Sequence, residues 1–456
     1  MIHVHLIGIG GTGLSGIAIV LLGDGYTVSG SDQILSPLAQ AAQESGAKVY
    51  IGHNPDNVIG ADLVIRSSAV PDDNVEVRAA KKAGIPILKR SAFLGQLMEG
   101  RQGIAIAGTH GKTTTTAMIA WMLTKLKQDP TFVVGGVIRN LKTNARSGTG
   151  PFFVIEADEY DHMFLGLQPT IAIVTNVEYD HPDFYPSPQS FHNAFHNFIK
   201  RIIPDGILIA CGDDQGATQI IQKAANLDLR VFSYGLRNIQ YSYYAINLVP
   251  LSTGGFTFDV FNGGKHLANF TLRLPGEHNV RNALAAVAVA DQLGLPMNET
   301  AIAINEFRGV GRRFDIRGEV EGVVVIDDYA HHPTEIQATL SAARTRFPER
   351  NLWVVWQPHT FSRTKTLLNG FSKSFEGANH VVITDIYPAR ETIPSNFSAV
   401  HVAEAIEHPD VHLVHNLKDA INFLMQQLEP GDVLLVLSAG DAHEISDHVL
   451  EGYQYE

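Results

Sequence analysis

The sequence predicts an α/β protein of three domains, each built on a mostly parallel sheet. Short runs rich in Val, Ile and Leu alternate with longer stretches of helical spacing along most of the chain. Two glycine-rich segments each follow such a run and open a helical stretch, as phosphate-binding turns do. The 456 residues suit two to four domains. We place the predicted domains at residues 1–97, 98–315 and 316–456.

Composition and charge narrow the functional class. Apolar residues make up 45% of the chain and charged residues 18%, which favours a packed core over disorder. The net charge of −13 argues against a nucleic-acid binder that works through charge. No apolar run approaches the roughly 20 residues of a membrane span, and the first residues lack the pattern of a signal peptide. The single cysteine, Cys211, lies in an apolar run and is expected to be a core residue. We expect a soluble cytoplasmic protein, monomeric or homodimeric, that neither binds nucleic acid nor inserts into a membrane.

The first domain begins with a strand that runs into the pattern Gly8-x-Gly10-x-x-Gly13, and Asp32 follows about 20 residues later. Residues 63–68 form a further predicted strand that ends in hydroxyl groups. These glycines allow a tight turn and let backbone N–H groups approach a diphosphate at the helix start. The diphosphate is that of a nicotinamide dinucleotide or of a UDP-sugar, and this pattern does not distinguish them.

The second domain opens with a variant phosphate-binding loop, residues 108–116, after the apolar run 104–107. Lys112 supplies a charge for the outer phosphates, and the Thr113 hydroxyl is a ligand for Mg²⁺. The usual G-x-x-x-x-G-K-[ST] pattern requires glycine at position 106, where this chain has isoleucine. The apolar residues Ile119, Met122, Leu123 and Leu126 then recur at helical spacing and predict an amphipathic helix.

Polar side chains follow the next predicted strands of this domain. Glu156 ends one strand and begins a segment with four carboxylates in six residues, and His181 follows the next strand. Because strand ends of parallel sheets gather at one crevice, Thr113, Glu156 and His181 are expected to converge. Mg²⁺ prefers oxygen ligands, so one or two of the carboxylates would face the phosphates. The others are expected to be solvated or to contact the partner substrate.

From about residue 230 the pattern becomes antiparallel, with a hairpin of residues 255–260 and 267–272 around Asn-Gly-Gly. The third domain again reads as parallel α/β. Its predicted strands are 323–326, 353–356, 381–383 and 433–437.

Two further groups of polar residues stand at the start of the third domain. A glycine-flanked linker, residues 309–315, carries paired arginines, whose rigid guanidinium suits phosphate oxygens. The segments 327–333 and 357–363 follow the first two predicted strands, where ligands bind in parallel sheets.

Taken together, these segments resemble those of the Mur ligases, which assemble the peptide of bacterial peptidoglycan. The motifs that carry the resemblance are GIGGTG, GTHGKTTTT, EADEYD, TNVEYDH, GEHNVRNA, GRRFD, DDYAHHPTE and QPHTFSRT. The resemblance covers nearly the whole chain and includes the missing glycine at 106. It implies an N-terminal Rossmann-like domain that binds the UDP substrate. It further implies a central P-loop ATPase-type domain with a small antiparallel portion, and a C-terminal Rossmann-like ligase domain that closes over the site.

The resemblance also implies the reaction. ATP would phosphorylate the carboxylate of UDP-N-acetylmuramate, and the amine of L-alanine would attack the acyl phosphate. A tetrahedral intermediate would then lose phosphate and leave an amide. ATP is the implied co-substrate, with one or two Mg²⁺ ions as cofactor. The motifs GIGGTG and residues 167–176 are most similar to those of the alanine-adding branch. A recycling branch, which joins an intact tripeptide to the same sugar nucleotide, stays open as the alternative.

The family's motifs carry over to individual residues of this chain. The implied ATP-binding residues are Gly108, Thr109, His110, Gly111, Lys112, Thr113, Thr114, His278, Asn279, Asn282, Arg313, Asp328 and Tyr329. The implied UDP-substrate residues are Gly10, Gly11, Thr12, Gly13, Ser31, Asp32, Ser67 and Ser68. The implied metal ligands are Thr113, Glu156 and His181. The implied catalytic residues are Lys112, His181, Arg313 and His331, and His359 and Arg363 would orient the amino acid or the muramoyl carboxylate.

Some relatives carry a carbamylated lysine downstream of the residue that matches His181. This chain has no lysine between His181 and Lys200, so we expect no carbamylation. Two readings from other classes remain open at this point. A nicotinamide-dependent oxidoreductase would explain the first glycine-rich turn but not Lys112, Glu156 or Arg313. A non-catalytic nucleotide-sugar sensor would leave the apparently complete set of phosphate and metal positions unused.

Overall fold

The computed structural model describes residues 2–252 and 254–452, and these residues form three sheets with helices packed against them. The strands are β1 (His3–Ile7), β2 (Thr27–Asp32), β3 (Lys48–Ile51), β4 (Leu63–Arg66), β5 (Ile87–Lys89), β6 (Gln102–Ala107), β7 (Thr131–Ile138), β8 (Thr143–Arg146), β9 (Phe152–Glu156), β10 (Ile171–Val174), β11 (Ile207–Cys211), β12 (Arg230–Leu236), β13 (Tyr243–Pro250), β14 (Phe256–Asn262), β15 (Lys265–Leu272), β16 (Asp315–Val320), β17 (Val323–Asp328), β18 (Leu352–Trp356), β19 (His380–Ile383), β20 (Val411–Leu413) and β21 (Val433–Leu437). The helices are α1 (Thr12–Gly23), α2 (Pro37–Glu44), α3 (Val75–Ala83), α4 (Arg90–Met98), α5 (Lys112–Lys125), α6 (Pro188–Ile199), α7 (Gln215–Ala224), α8 (Glu277–Gln292), α9 (Met297–Glu306), α10 (Pro333–Arg346), α11 (Phe361–Thr366), α12 (Leu368–Phe371), α13 (Ala399–Ala405), α14 (Leu417–Gln427) and α15 (Glu444–Gly452), with 3₁₀ turns at Pro55–Val58 and Tyr160–Gly166.

The first sheet is parallel and has the order β3-β2-β1-β4-β5. The strand order reverses between β1 and β4, so a crevice opens at the carboxyl ends of these two strands. Gly8 follows β1 with a φ of +89°, a conformation that favours glycine, and the turn leads directly into α1. The predicted strand–turn–helix unit is therefore confirmed.

The second sheet has ten strands in the order β15-β14-β13-β12-β11-β10-β6-β9-β7-β8. The predicted hairpin is confirmed: β14 and β15 pair antiparallel around Gly263 and Gly264, which both have positive φ. The prediction that the sheet turns antiparallel from about residue 230 was wrong. Strand β12 pairs parallel with both β11 and β13, and on this side of the sheet the antiparallel order begins only with β14.

Helix α5 is not amphipathic as its sequence predicted. Its buried side chains include those at four consecutive positions, Ala117, Met118, Ile119 and Ala120, and also those of its four threonines. The helix packs against β7 and β9 on one side and against α8 on the other. A helix covered on both sides has no broad solvent face, and its four buried threonines lie at the end that opens on the phosphate-binding loop.

The third sheet has the order β16-β17-β21-β18-β19-β20 and is parallel except for β16. The sequence did not predict β16, whose residues DIRGEV are mostly polar and alternate in burial only weakly. The remaining strands and the helices α10 and α14 confirm the predicted parallel α/β unit.

One apolar core extends through the first two sheets, from Val4 to Val310. The third sheet has separate clusters on its two faces, made of residues from 314 onward. The α/β class is thus confirmed, whereas the exact boundaries 97/98 and 315/316 stay predictions. Within residues 2–252 and 254–452, no helix is long and apolar enough to cross a membrane.

Candidate active site

The phosphate-binding loop joins β6 to α5 and lies tightly against the neighbouring strand. Gly108 has a φ of +142°, and a Cβ at this position would lie 1.9 Å from Thr175 Oγ1. Gly111 has a φ of +80° immediately before the first helical residue, Lys112. Both glycines are therefore required by the backbone path, which directs the free N–H groups of the helix start towards the cavity.

Lys112 is held in place by the loop and by one buried carboxylate. Its Nζ donates to the carbonyl oxygens of Gly108 (2.5 Å) and Thr109 (3.1 Å) and lies 2.9 Å from Glu159 Oε2. Burial opposes the charged form, but Glu159 and Asp158 outweigh it and raise the pKa of Lys112. Glu159 is only 1% exposed, which contradicts our expectation that carboxylates beyond Glu156 are solvated or contact the partner substrate.

Thr113 and Glu156, predicted as metal ligands, lie together. Thr113 Oγ1 donates to Glu156 Oε2 at 3.2 Å, and the other carboxylate oxygen accepts from the backbone N–H of Gly135 at 2.5 Å. Burial raises the pKa of the Glu156 carboxyl. A hydroxyl and a buried carboxylate at the entrance of a phosphate-binding loop are a donor set that suits Mg²⁺.

A cavity of about 330 Å³ opens beside the loop, between the second and third sheets. Nine of the residues assigned to ATP line it: His110, Gly111, Thr113, Thr114, His278, Asn279, Asn282, Arg313 and Asp328. Burial lowers the pKa of His278 to about 4 and raises that of Asp328 to about 6. Cys211, buried as predicted, forms part of the cavity wall, and burial raises the pKa of its thiol to about 11.

A second cavity of about 70 Å³ lies between the first and second sheets. Its walls include Thr12, Gly13, Arg90, Glu156 and Asp158. The Arg90 guanidinium lies directly over the first glycine-rich turn, because a Cβ at Gly13 would be 1.5 Å from Arg90 Nη1. Glu156 lines this cavity while its partner Thr113 lines the larger one. The Thr113–Glu156 contact therefore lies between the two cavities.

The residues assigned to the UDP part lie around the crevice of the first sheet, with one exception. Gly10 N–H donates to Asp32 Oδ2 at 2.8 Å, and Ser67 lies against Gly8. Gly11, Thr12 and Ser68 are exposed there. Ser31 differs: its side chain is fully buried.

Ser31 Oγ donates to Glu76 Oε2 at 2.5 Å and also contacts His53. Burial opposes the charged form of Glu76, but hydrogen bonds from His5, Ser31 and Asn57 outweigh it and lower its pKa to about 2. The hydroxyl of Ser31 thus points towards Glu76 and does not face the crevice in this structure.

His181, Asp180 and Arg363 form a buried group that joins the second and third sheets. Arg363 Nε donates to Asp180 Oδ1 at 2.6 Å, and its Nη1 lies 3.2 Å from His359 Nδ1. His181 Nε2 is 3.5 Å from Glu159 Oε1, and its φ of +55° is uncommon for a residue other than glycine. Burial opposes the charged form of each residue. The positive charges of Arg363 and His181 nevertheless hold the pKa of Asp180 well below its ordinary value. The negative charges of Asp180 and Glu159 raise the pKa of His181 above its ordinary value.

A second polar contact between these domains involves the phosphate-binding loop itself. His110 Nε2 lies 2.8 Å from Glu178 Oε2, and His110 Nδ1 lies 3.1 Å from Glu335 Oε1 at the start of α10. Thr334 donates to Glu178 Oε1 at 2.7 Å, and the His332 ring packs against that of His110. Burial alone lowers the pKa of His110, but Glu178 and Glu335 raise it to about 9.

The paired arginines diverge at the linker between the domains. Arg312 donates to the carbonyl oxygens of Ser438 and Gly440, whereas Arg313 lines the larger cavity. Both guanidinium groups lie over the ring of Tyr329, at 5.0 and 4.9 Å from its centroid. Of the pair, Arg313 is thus the one that can reach a phosphate in this cavity.

His331 is placed to act as a neutral group. Its Nδ1 lies 2.8 Å from the carbonyl oxygen of Tyr329, which assigns the proton to Nδ1 and leaves Nε2 as an acceptor. Burial lowers the pKa of His331 to about 4 and that of His359 to about 3, so both rings are neutral at neutral pH.

Sequence reasoning missed several residues that this geometry makes prominent: Arg90, Glu159, Glu178, Asp180 and Glu335. All are charged and at least half buried, and all pair with side chains distant in the sequence. Glu159, Glu178, Asp180 and Glu335 stand within motifs that the sequence singled out, so their position beside other motif residues was the available signal. No local pattern marks Arg90.

Three models of one protein family match this chain, and together they cover most of its length. The family models described as "Mur ligase family, catalytic domain", "Mur ligase middle domain" and "Mur ligase, glutamate ligase domain" match residues 3–102, 106–290 and 312–440. The chain belongs to the Mur ligase family. The resemblance predicted from the motifs is confirmed, and family membership leaves no support for an oxidoreductase.

Individual relatives of this Mur ligase point to one branch. The chain is 44% identical to the UDP-N-acetylmuramate–L-alanine ligase of Roseiflexus sp. strain RS-1, over 98% of both chains. It is also 44% identical to the enzyme of that name from Geobacter sp. strain M21, over 98% of this chain and 97% of the relative. The structure of UDP-N-acetylmuramate–alanine ligase from Thermotoga maritima has a TM-score of 0.85 at 29% identity, covering 100% and 99% of the two chains. A murein peptide ligase from Psychrobacter arcticus has a TM-score of 0.74 at 25% identity, with the same coverage.

Proposed function

We propose that this Mur ligase joins L-alanine to the carboxylate of UDP-N-acetylmuramate and converts ATP to ADP and phosphate. The observation that carries the proposal is the contact between Thr113 and Glu156, which lies between the larger cavity and the smaller cavity at the junction of the first two domains. A γ-phosphate in the larger cavity and a carboxylate that enters from the smaller one would approach each other at this point. Relatives that are 44% identical over nearly the whole chain bear the name of this activity.

The first step transfers the γ-phosphoryl group to the carboxylate oxygen and forms an acyl phosphate. Such a transfer depends mainly on positioning and on neutralisation of charge. The Lys112 ammonium would contact the outer phosphates, because its hydrogen bonds to the loop hold it at the start of α5. Glu159 keeps Lys112 charged and in place before the nucleotide binds. Arg313 would reach the γ-phosphate from the other wall of the cavity.

Mg²⁺ is the proposed cofactor, and the residues present fit it. Thr113 Oγ1 and the Glu156 carboxylate would hold one ion, because both are oxygen ligands beside the phosphate-binding loop. His181 would help to hold a second ion and needs its neutral form to do so. When bound, Mg²⁺ would offset phosphate charge.

In the second step the amine of L-alanine attacks the acyl carbon, and the tetrahedral intermediate expels phosphate. His359 and Arg363 would orient the amino acid or the muramoyl carboxylate at the end of β18. The free Nε2 of His331 would accept a hydrogen bond from the attacking amine, which fixes the direction of its lone pair. These roles need the third domain to lie against the second, and the 309–315 linker would act as the hinge, since its glycines can absorb changes in φ and ψ.

Several further features belong to this proposal. The first domain, residues 1–97, would bind the UDP part; residues 98–315 would bind ATP; and residues 316–456 would complete the site. We propose a cytoplasmic enzyme that acts as a monomer or homodimer, without nucleic acid or membrane insertion.

The test is phosphate release from ATP with Mg²⁺ and UDP-N-acetylmuramate. One reaction receives L-alanine and a parallel one receives the tripeptide L-Ala-γ-D-Glu-meso-diaminopimelate. We expect turnover with L-alanine alone, and the higher TM-score of the alanine ligase from Thermotoga maritima favours this outcome. Turnover with the tripeptide alone would assign the recycling reaction instead. If neither reaction releases phosphate although the sugar nucleotide binds tightly, a non-catalytic nucleotide-sugar sensor would be favoured.

A further inference from the structure

Three metal-binding side chains converge on the third sheet, away from the reaction site. His380 begins β19, Asp410 immediately precedes β20, and His412 lies within β20. His380 Nδ1 contacts Asp410 Oδ2, and His412 Nε2 lies 2.9 Å from Asp410 Oδ1. One donor atom from each residue lies within 4.8 Å of the other two. A carboxylate between two imidazoles is thus already assembled by the fold.

The parallel register explains why the two histidines share a face. Val382 pairs with His412 across β19 and β20, and His380 stands two residues before Val382 on the same strand. Side chains two residues apart point to the same face of a sheet. Both rings therefore lie on the face covered by α14, where the His412 ring is 4.9 Å from that of Phe423.

The surroundings fix both rings but leave the group accessible. The Trp353 indole stacks on the His380 imidazole with centroids 3.9 Å apart and an interplanar angle of 17°. The His408 ring and the backbone of Asp410 form contacts of 2.9 and 3.1 Å, which hold the loop before β20. The side chains of His380, His412 and Asp410 are 30%, 35% and 40% exposed, so an ion can reach them from solvent.

The cluster lies at the opposite end of the sheet from the reaction site. His380 and Asp410 stand at the amino ends of β19 and β20, whereas Asp328, which lines the nucleotide cavity, ends β17 at the carboxyl edge. Because the strands are parallel, their amino ends and their carboxyl ends lie at opposite ends of the sheet. No step of the proposed ligase reaction uses the cluster.

We propose that His380, Asp410 and His412 form a binding site for a divalent transition-metal ion, with Zn²⁺ the best match. Two imidazoles and one carboxylate are the ligand types that Zn²⁺ accepts in a tetrahedral site with water at the fourth position. Mg²⁺ and Ca²⁺ prefer all-oxygen sites, so they are poor matches for two imidazoles. An ion would replace the direct histidine–aspartate contacts and link the edge strand β20 to β19.

The test compares the full-length protein with the variant His380→Gln/His412→Gln, after both have been freed of metal with a chelator. ZnCl₂ is titrated into each by calorimetry at pH 7.5. We expect the unmodified protein to bind one equivalent more than the double variant, or to bind that equivalent at least about tenfold more tightly. Comparing the two proteins removes the contribution of the other histidines, including those near the nucleotide cavity.

Three further measurements make the result specific. His415→Gln is the matched control, because His415 also pairs with an aspartate, at 3.0 Å, but lies outside the cluster; it should keep the extra equivalent. Asp410→Asn should weaken Zn²⁺ binding without removing either imidazole. CoCl₂ should give the visible absorption of a low-coordinate ion only where both histidines are present.

Equal Zn²⁺ binding by the unmodified protein and the double variant would overturn the proposal and leave the cluster as an ion-pair network. Circular dichroism must first show that the variants are folded. Ligase turnover with Mg²⁺ should be the same in the double variant and the unmodified protein. Failure of the metal proposal is therefore distinguishable from failure of the proposed function.

Discussion

The contact of the first domain with the second differs in kind from the contact of the second with the third. Helix α1 of the first domain packs against β7 and β8, and the residues between them belong to one continuous apolar core. Gly16 of α1 allows this close approach, since a Cβ there would lie 2.7 Å from Val133 Cγ1. The second and third domains instead meet through charged and hydroxyl groups, such as Asp180 with Arg363 and His110 with Glu335.

This difference indicates which of the two domain contacts can open during a reaction. Parting the first contact would expose apolar surface, which costs about 25 cal/mol for each Å². Opening the contact between the second and third domains exchanges ion pairs and hydrogen bonds for contacts with water. The free-energy cost of this exchange is much smaller. We therefore expect the first two domains to move as one body and the third to open and close over the nucleotide. The four predictions below test this division.

The largest expected effect is that of Lys112→Ala. Removing the ammonium takes away a charge that would be aimed at the phosphates, so we expect kcat to fall by about 100-fold to 1000-fold. The affinity for UDP-N-acetylmuramate should stay unchanged, because the proposed binding site for that substrate lies in the first domain. Phosphate release measures the first effect and calorimetry the second.

The matched control is Lys125→Ala, which removes a lysine from the other end of the same helix. Lys125 pairs with Glu306 at 2.7 Å on the surface and should not affect turnover. Loss of sugar-nucleotide affinity in Lys112→Ala would contradict the separation of the two binding sites.

Asp180→Asn should weaken the polar contact strongly. Asp180 and Arg363 are 4% and 6% exposed, and removing one partner of a buried pair costs about 3–5 kcal/mol. We expect kcat/KM to fall by about 100-fold and the radius of gyration to decrease less when an ATP analogue and UDP-N-acetylmuramate bind. Small-angle scattering measures this compaction.

Asp183→Asn provides the comparison for Asp180→Asn. Asp183 also pairs with an arginine across the two domains, Arg390, but this arginine is 54% exposed, and exposed pairs contribute about 0–1 kcal/mol. Its compaction should resemble that of the unmodified protein. Equal compaction in both variants and the unmodified protein would mean that the buried pair does not hold the third domain.

The charge of His110 makes closure depend on pH. Glu335 contributes to the raised pKa of about 9 and belongs to the other domain, so the closed form binds a proton more tightly than the open form. The resulting stabilisation is complete below about pH 6.5 and is lost as the pH rises through 9. We expect the equilibrium constant for closure to fall by about tenfold between pH 6.5 and pH 9.5, since Glu178 stays with His110 in the open form.

Scattering at both pH values, with the ATP analogue and UDP-N-acetylmuramate bound, measures this dependence. His110→Gln keeps a hydrogen-bonding side chain but cannot titrate, so its compaction should change much less with pH. A pH dependence that persists unchanged in His110→Gln would assign the effect to another group.

The sequence predicted what depends on local pattern. Strands β1, β6 and β17 and the turns after them follow from apolar runs and glycines close in the chain, and the family's motifs identified most residues that line the nucleotide cavity. It could not predict partners that depend on how domains meet. Glu178 and Thr334 are 156 residues apart, and nothing near either one indicates the other.

Local sequence patterns did not indicate the surroundings of three features, which are α5, β16 and Ser31. Helix α5 has apolar residues at helical spacing, but it is covered on both sides, so its predicted amphipathic character was wrong. Strand β16 is mostly polar and forms at an edge because β17 offers it a pairing partner. The resemblance assigned Ser31 to the UDP substrate, and in this structure its hydroxyl donates to the buried Glu76; its role in substrate binding stays a prediction. Neighbours distant in the sequence surround α5 and Ser31, whereas β16 depends on the strand that follows it directly.

The smallest expected effect concerns the apolar contact. Gly16→Ala would place a methyl group 2.7 Å from Val133 Cγ1 and 3.3 Å from Ala145 Cβ. Overpacking of this kind costs about 1–3 kcal/mol, while alanine gains about 1 kcal/mol over glycine in a helix. We expect a net loss of roughly 1 kcal/mol in the free energy of unfolding, measured with urea, and unchanged compaction on nucleotide binding. This combination separates the fixed contact from the one that opens.

Val133→Ala tests whether the loss arises at that contact. It removes the methyl group that Gly16→Ala would meet, so the double variant should be more stable than the sum of the two single effects predicts. The expected coupling is about 1 kcal/mol, because the new methyl group then occupies the space that the valine leaves. Additive effects would show that α1 does not lie against β7 as closely as the fold requires. In that case the first domain too would be free to move against the second.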